Sequence, residues 1–335
     1  MKMNKIAITG CSGALGSSLS KALLSSGNQV CGLDIIPPPE EIIRHPGFEF
    51  KPTDVTDFRA VCRNIAGNQA AIHSAVLLPQ KCYLGLEHYM DVNANGAVNF
   101  LKACLENNIK KAVLISTSGV LKPKKKGIIF DSDEYRQSSS LYLRSKIEAE
   151  RMVDALGLKD KIDYLTLRPT SIYGPGMNYK WRDIFHLAGK GRLFVVGSGK
   201  QPYSIIHLQD LIEAIILSIS KLEKGISGEK ILITSKEKLS IYYILAFISK
   251  YFSSRLPKKM PFFVAFMGAI VLNKLGKISR NEFLSSIHPE NIRDYNTGLF
   301  FDNKKANSLL GFESKIDFEP GMLEVLDKYH EKTKK

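Results

Sequence analysis

Seven residues near the start of the chain, Gly10-Cys11-Ser12-Gly13-Ala14-Leu15-Gly16, restrict the possible folds more than any other segment. They follow a short β-rich run, Lys5–Thr9. They open a helical pattern, Ala14–Ser25, in which Leu15, Leu19, Ala22 and Leu23 share one face and Gly27 ends the run. In such a setting the first glycine permits a tight turn, the second lets backbone approach a phosphate, and the third lets the helix pack closely on the sheet. The helix N-terminus adds partial positive charge, so Gly10, Ser12, Gly13, Ala14, Leu15 and Gly16 are predicted to seat a pyrophosphate. A glycine turn without a ligand is the alternative, and the strand–turn–helix context argues against it. An acid closes the next strand, Gln29–Asp34. Asp34 is placed to accept hydrogen bonds from ribose hydroxyls, and its charge would repel a 2′-phosphate, which predicts NAD rather than NADP.

The alternation continues. Phe48–Pro52 reads as a strand before Asp54, 57–65 as a helix, 70–74 as a strand and 89–107 as a long helix. The strand Lys111–Ile115 ends in Ser116-Thr117-Ser118, a helix follows over 141–156, and 164–168 is a further strand. This order predicts an α/β fold, a Rossmann-type doubly wound parallel sheet. Past Pro169 the pattern loosens, and only 205–220 and Lys230–Ile233 still read as sheet-and-helix pieces. The expected division is an NAD-binding domain over 1–170, with pieces from about 205–235 returning to it. A smaller, mostly C-terminal substrate-binding lobe then takes 171–204 and 236–335. Asp54 with Val55 is placed to meet an adenine edge; Asp54 as an N-cap for the helix from Asp57 is a compatible reading.

Tyr142-Leu143-Arg144-Ser145-Lys146 sets a phenol and an ammonium four residues apart on one helical face. Hydride transfer at a carbon bearing oxygen needs a proton delivered to, or taken from, that oxygen. A tyrosine with its ordinary pKa near 10 is a poor base at neutral pH. A lysine one turn away, with the charge of an oxidised nicotinamide, lowers it. A hydroxyl at the end of a central strand, Thr117 or Ser118, would hold the substrate oxygen. An amphipathic surface helix also yields Y-x-x-x-K, but here the pair stands one strand–helix step after Ser116-Thr117-Ser118.

With these residues in view, the chain resembles the extended short-chain dehydrogenase/reductase family. That family includes nucleotide-sugar epimerases and dehydratases, 3β-hydroxysteroid dehydrogenases and dihydroflavonol reductases. The resemblance covers nearly the whole chain. It rests on the glycine motif, Asp34, Asp54-Val55, His73-Ser74-Ala75, Asn93-Ala94-Asn95-Gly96, Tyr142 with Lys146, and Leu167-Arg168-Pro169. Tyr173-Gly174-Pro175-Gly176, Ile206-His207-Leu208-Gln209-Asp210, the 301–306 segment and Leu310-Gly311-Phe312 continue it. The resemblance implies that Thr117, Tyr142 and Lys146 are catalytic, with Thr117 favoured over Ser118 by counting back from Val120. It also implies that Tyr142, Lys146, Asn93, Ala75 on the nicotinamide-ribose side and Pro169 near the carboxamide hold NAD. His73, His207 and Asp210 are read as structural. A homodimer through two long helices, around 89–107 and 141–156, is implied by the same analogy.

Two departures narrow the branch. Ser118-Gly119 stands where family dehydratases carry an Asp-Glu pair, which argues against 4,6-dehydration. Pro202-Tyr203-Ser204 stands where many nucleotide-sugar epimerases carry a diphosphate-gripping arginine, although Arg182, Arg192 or Lys200 could compensate. The proline-led apolar stretch from Leu256 to Met267 is similar to the steroid-dehydrogenase and reductase branch. The expected activity is therefore NAD-dependent oxidation or reduction of an apolar, sterol- or lipid-like alcohol or ketone. A nucleotide-sugar epimerase with tightly held NAD and a non-catalytic NAD sensor or scaffold are the alternatives.

Composition bears on partners. The 335 residues are 44% hydrophobic and 24% charged, which is globular rather than disordered. Five cysteines without a CxxC pair argue against a disulfide framework or a metal site and for a reducing cytoplasm. The apolar run after Lys5 is too short for a signal peptide. The net charge of +14 gathers at 122–126, Lys258-Lys259 and 332–335. No nucleic-acid motif accompanies these clusters; a solvated surface, an anionic ligand or a membrane surface accounts for them. The run 260–272, flanked by lysines, is either a core helix of the small lobe or a peripheral membrane contact.

Overall fold

The computed structural model describes residues 4–125, 127–222 and 225–333. Residues 1–3 of the N-terminal segment and Lys126, Lys334 and Lys335 of the basic runs therefore lie outside the described residues. Strands β1 (Lys5–Thr9), β2 (Gln29–Asp34) and β3 (Phe48–Pro52) are joined by helices α1 (Ala14–Ser25) and α2 (Glu40–Ile43). Helix α3 (Phe58–Ile65) leads to β4 (Ala70–His73), and a 3-10 turn (Pro79–Leu84) precedes α4 (Gly85–Tyr89). A π turn (Met90–Asn95) then runs into α5 (Gly96–Glu106). Helical backbone thus starts before position 89, and the π turn is a register change that side-chain periodicity does not report. Next come β5 (Lys111–Ile115), α6 (Leu141–Ala155) and β6 (Asp163–Pro169).

After β6 come β7 (Ser171–Tyr173), α7 (Asn178–Gly189), β8 (Phe194–Val196) and β9 (Ile205–His207). Helix α8 (Leu208–Lys221) and β10 (Lys230–Ile233) rejoin the main sheet. The chain closes with α9 (Ile241–Tyr251), β11 (Lys258–Met260), α10 (Phe262–Ser279), α11 (Glu282–Ser286), α12 (Pro289–Thr297), α13 (Lys304–Leu310) and α14 (Phe318–Thr333).

The main sheet has seven strands in the order β3-β2-β1-β4-β5-β6-β10, every neighbouring pair parallel. Its strands are apolar throughout because helices cover both faces. In β1, Ile6 and Ile8 point to a core shared with α1 and α8, while Ala7 points to the opposite core with α3, α5 and α6. The strand order reverses between β1 and β4, so the crevice at their C-terminal ends is the natural ligand position of this Rossmann-type α/β fold. A third core, with Trp181, Phe185, Ile244, Phe318 and Met322, belongs to α7, α9 and α14.

The division expected at 236 needs one correction. Ala306, Leu310 and Phe312 are fully buried in the core on the α1/α8 face of the sheet. Gly311, at φ +68°, ends α13 in the left-handed region and turns Phe312 back into that core. The closing segment around 304–312 thus returns to the nucleotide-binding half. We predict that Phe312→Ala lowers the unfolding free energy by about 3–5 kcal/mol in urea titration. Leu323→Ala, on an exposed face of α14, should stay within about 0.5 kcal/mol of the parent.

Candidate active site

The glycine turn meets the β4 loop at the strand-order reversal. Gly10 has φ +73°, and a Cβ there would lie 2.5 Å from the backbone nitrogen of Ala75. A Cβ on Gly16 would lie 2.1 Å from the Gly10 carbonyl oxygen, so the helix can approach the turn only through a glycine. Gly13 differs: a Cβ there would make only an ordinary 3.4 Å contact, and the residue is exposed. It is the N-cap of α1, has no side-chain cap, and no acid stands in the first turn. The helix N-terminus is thus left to an external anion. The Asp34 carboxylate is pinned beside it, accepting from Ser12 N (3.0 Å) and Ile35 N (2.8 Å), while Ser12 Oγ donates to the Ile36 carbonyl (2.6 Å).

The predicted residues line up along one sheet edge. Asp54, Asp34, Gly10, Ala75, Thr117 and Pro169 stand at or just past the C-terminal ends of β3, β2, β1, β4, β5 and β6, which is the spatial order of the strands. From Asp34 to Pro169 that is four strand spacings, roughly 19 Å at 4.8 Å each, a length suited to an extended dinucleotide.

At the β5 end, Ser116, Thr117 and Ser118 part company. Ser116 Oγ donates to Glu150 (2.5 Å), and Ser118 is buried. Thr117 is half-buried, and its Oγ1 accepts from Gly119 N (3.2 Å) as the cap of a 3-10 turn. Gly119 packs on Leu143, so this turn lies against the first turn of α6, where Ser140 caps the helix and Tyr142 sits half-buried. One turn on, Lys146 is only 4% exposed and its Nζ donates to the Ile115 carbonyl (2.6 Å), two residues before Thr117. Burial lowers the ammonium from 10.5 to about 8, partly offset by the negative charge of Glu150.

Glu150 is the residue that motif reading missed. Its carboxylate accepts from Arg168 Nε (3.1 Å) and Nη2 (2.6 Å), from Ser116 Oγ, and from the Tyr135 hydroxyl (2.9 Å). Arg168 also donates to the Asp131 carbonyl (2.8 Å). Tyr142, Lys146 and Glu150 follow at four-residue intervals, and that polar stripe on one helix face was the available signal.

The remaining predicted residues divide. Asn93, in the π turn, accepts from Leu77 N (2.7 Å) and donates to Leu77 O (3.1 Å) and Ser145 Oγ (2.9 Å). Its amide thus holds the 77–78 loop against α6. Asp54 accepts from Thr56 N and Oγ1, and Asp57 is the residue that caps α3, which corrects the reading of Asp54 as that cap. Val55 is buried against Gly96. His73 bonds Thr9 Oγ1 (2.8 Å) and stacks on Phe100, and burial with the nearby Lys146 charge lowers it to about 3, so it stays neutral. His207 caps α8, and Asp210 accepts from Lys315 N and Ile316 N. Arg182, Arg192 and Lys200 are exposed, whereas Tyr203 is buried and meets the Tyr295 ring at a tilt, with centroids 5.6 Å apart.

The sequence model of the NAD dependent epimerase/dehydratase family matches residues 6–234. A UDP-glucose 4-epimerase of Vibrio cholerae is 26% identical over 65% of this chain and 67% of its own. A 3beta-hydroxysteroid-dehydrogenase/decarboxylase of Arabidopsis thaliana is 20% identical over 86% of this chain and 68% of its own. Among solved structures, UDP-glucuronic acid 4-epimerase from Bacillus cereus in complex with NAD superposes with a TM-score of 0.76 at 21% identity, over 99% of this chain and all of the other.

The buried network makes two predictions. Glu150→Gln leaves the Arg168 guanidinium buried without its counter-charge and should cost about 3–5 kcal/mol in denaturant unfolding, with Glu150→Gln/Arg168→Met recovering part of the loss. Lys146 is charged in the unfolded chain up to about 10.5 but is neutral above about 8 when folded, so wild-type stability rises as pH climbs through that window. The stability of Lys146→Met relative to wild type should therefore be highest below pH 8 and fall towards pH 10, as read from melting temperatures at each pH.

Proposed function

The chain belongs to the NAD-dependent epimerase/dehydratase family, and from that premise we propose that it is an NAD-dependent oxidoreductase acting on an alcohol or ketone of an apolar, sterol- or lipid-like small molecule. The glycine turn and the Asp34 carboxylate fit NAD: the bare α1 N-terminus suits its pyrophosphate and Asp34 its adenosine ribose, with Tyr142 and Lys146 on the nicotinamide side. When bound, NAD supplies the acceptor or donor of the hydride. In this proposal Thr117 holds the substrate oxygen through its hydroxyl proton, since its oxygen already accepts from Gly119 N. Tyr142 gives or takes the proton at that oxygen, and the Lys146 ammonium, fixed on the Ile115 carbonyl, lowers the phenol's pKa from one turn away.

The observation that carries the apolar substrate is the wall at 202–204. Where a diphosphate would need a cation, Tyr203 is buried against Tyr295. The nearby buried guanidiniums are already matched: Arg136 by Asp294 and Glu290, Arg168 by Glu150. The second reading, a nucleotide-sugar epimerase, is favoured by the Vibrio cholerae relative. A cytoplasmic homodimer packed through α5 and α6, with a peripheral membrane contact over 260–272, belongs to the same proposal.

The test is to purify the protein without added cofactor, assay released nucleotide, and follow NADH absorbance with sterols and apolar ketones. Net NADH formation or consumption is expected, and Tyr142→Phe should slow it by about 10²–10⁴-fold while leaving NAD affinity intact. Stoichiometric trapped NAD with turnover of UDP-sugars and no net NADH would give the epimerase instead. Indifference to Tyr142→Phe would leave a sensor.

A further inference from the structure

Helix α10 reverses the usual partition of a helix in a soluble protein. Its buried residues are Ala265, Ala269, Asn273 and Gly276, small groups and one amide. Phe262 and Phe266 pack partly against the inner cluster, but most of its large apolar side chains face outward: Phe263 is 71% exposed, Ile278 73%, and Val264, Val271 and Leu275 at least half. The inner face is committed. Asn273 Nδ2 donates to the Ser285 carbonyl (2.6 Å), and a Cβ on Gly276 would lie 2.3 Å from Ser285 N, so α10 is fixed on α11 at backbone distance. It is long and apolar enough to cross a membrane, yet crossing would strip away those contacts. Lying flat along a surface keeps them. Of the two sequence readings of 260–272, the core helix does not describe it: the helix runs on to Ser279 and is mostly exposed.

Charge selects the occupant. From Arg255 to Arg280 the chain contains Lys258, Lys259, Lys274 and Lys277 as well, and no Asp or Glu. Five cations, Lys190, Arg192, Arg255, Lys258 and Lys259, line an open groove of about 990 Å³ beside Val264 at the start of the helix. A second copy of the chain docked face to face would set these cations against one another, whereas an anionic surface neutralises them.

We propose that the outer face of α10 seats on an anionic lipid bilayer, with Phe263, Met267, Val271 and Ile278 in the acyl boundary and phosphate headgroups in the groove at its N-terminal end. This deepens, and rests on, the peripheral contact proposed above. The orientation has a consequence for the site. Ile270, Asn273 and Lys277 share a cleft with Ser139, three residues before Tyr142, and α10 also packs on the 3-10 turn that follows β4. A bilayer against α10 would therefore lie beside the segment that leads into Tyr142.

The experiment is co-sedimentation of the full chain with vesicles of phosphatidylcholine alone and of phosphatidylcholine with phosphatidylglycerol, at low and high salt. Binding to the anionic vesicles is expected, weaker by about tenfold or more on neutral vesicles and at high salt. Phe263→Glu/Val271→Glu should lose it by a similar factor while keeping the parent's melting temperature and NAD affinity. Lys258→Glu/Lys259→Glu should lose the preference for phosphatidylglycerol. No binding to either vesicle, or binding untouched by both variants, overturns the proposal. So does full displacement by inorganic phosphate, which would make the groove a soluble-anion site. A concentration-dependent dimer that Phe263→Glu/Val271→Glu dissolves, without vesicle binding, would assign the face to a second copy and overturn it too. Turnover is not read, so a wrong substrate class leaves each outcome interpretable.

Discussion

The Glu150 carboxylate sits where a charge is expensive to keep, beneath the C-terminal edge of the sheet and almost without solvent. It is retained because four donors converge on it from three directions: Arg168 Nε and Nη2 on β6, Ser116 just past β5, and Tyr135 on the strap between β5 and α6. That convergence ties β5, β6 and the strap to α6. Because α6 is held at Glu150, Lys146 arrives one turn earlier at the Ile115 carbonyl and Tyr142 one turn earlier again. The same charge moderates what burial does to Lys146, whose ammonium is lowered to about 8 rather than further. A purely apolar core would pack this helix but would not fix its rotation so narrowly.

A second guanidinium–carboxylate cluster does the corresponding work for the small lobe. Arg136 bridges Asp294 through both terminal nitrogens (2.8 and 3.0 Å), and Glu290 accepts from Ser138 Oγ, Ser139 Oγ and Ser139 N. These residues join α12 to the two turns of chain that enter α6. Isolated bridges, Leu121 with Tyr135 and Ile129 with Phe301, stitch the strap between the halves. The apolar cluster beneath it is small, with Val120, Leu121, Ile129, Ile147, Leu232 and Phe301. Directional contacts thus set the geometry of the segment leading to Tyr142.

The nucleotide-binding half was legible because its signals are local. Lys5–Thr9, Ala14–Ser25 and Gln29–Asp34 are bounded in the structure where the apolar runs, glycines and the acid bound them in the sequence. The placement of Ser116-Thr117-Ser118 at a strand end, and of Tyr142 and Lys146 one turn apart on a helix, was legible because strand ends and helix turns have fixed spacing. What was not legible depends on partners far away in the chain. Glu150 looks like any exposed glutamate until Arg168 and Tyr135 are seen to face it. Asn93 is spent on Leu77 and Ser145, which no spacing rule pairs. Phe312 reads as a terminal residue of the small lobe, yet the left-handed turn at Gly311 sends it into the sheet core.

Helix α10 is where the sequence left two readings open, since hydropathy does not say which face of an apolar helix is covered. Towards its C-terminal end the buried face is fixed by the backbone approach at Gly276 and Ser285, which admits only a glycine at that position. Most of the large apolar side chains are directed outward, a cost of about 25 cal/mol per Å² of exposed apolar surface unless something covers them. The wall at Tyr203 and Tyr295 lies on the inner side of α10, away from its exposed apolar face. Tyr295 packs with Ala265 and Ala269 on the inner side of α10, so the wall and the helix share one apolar cluster.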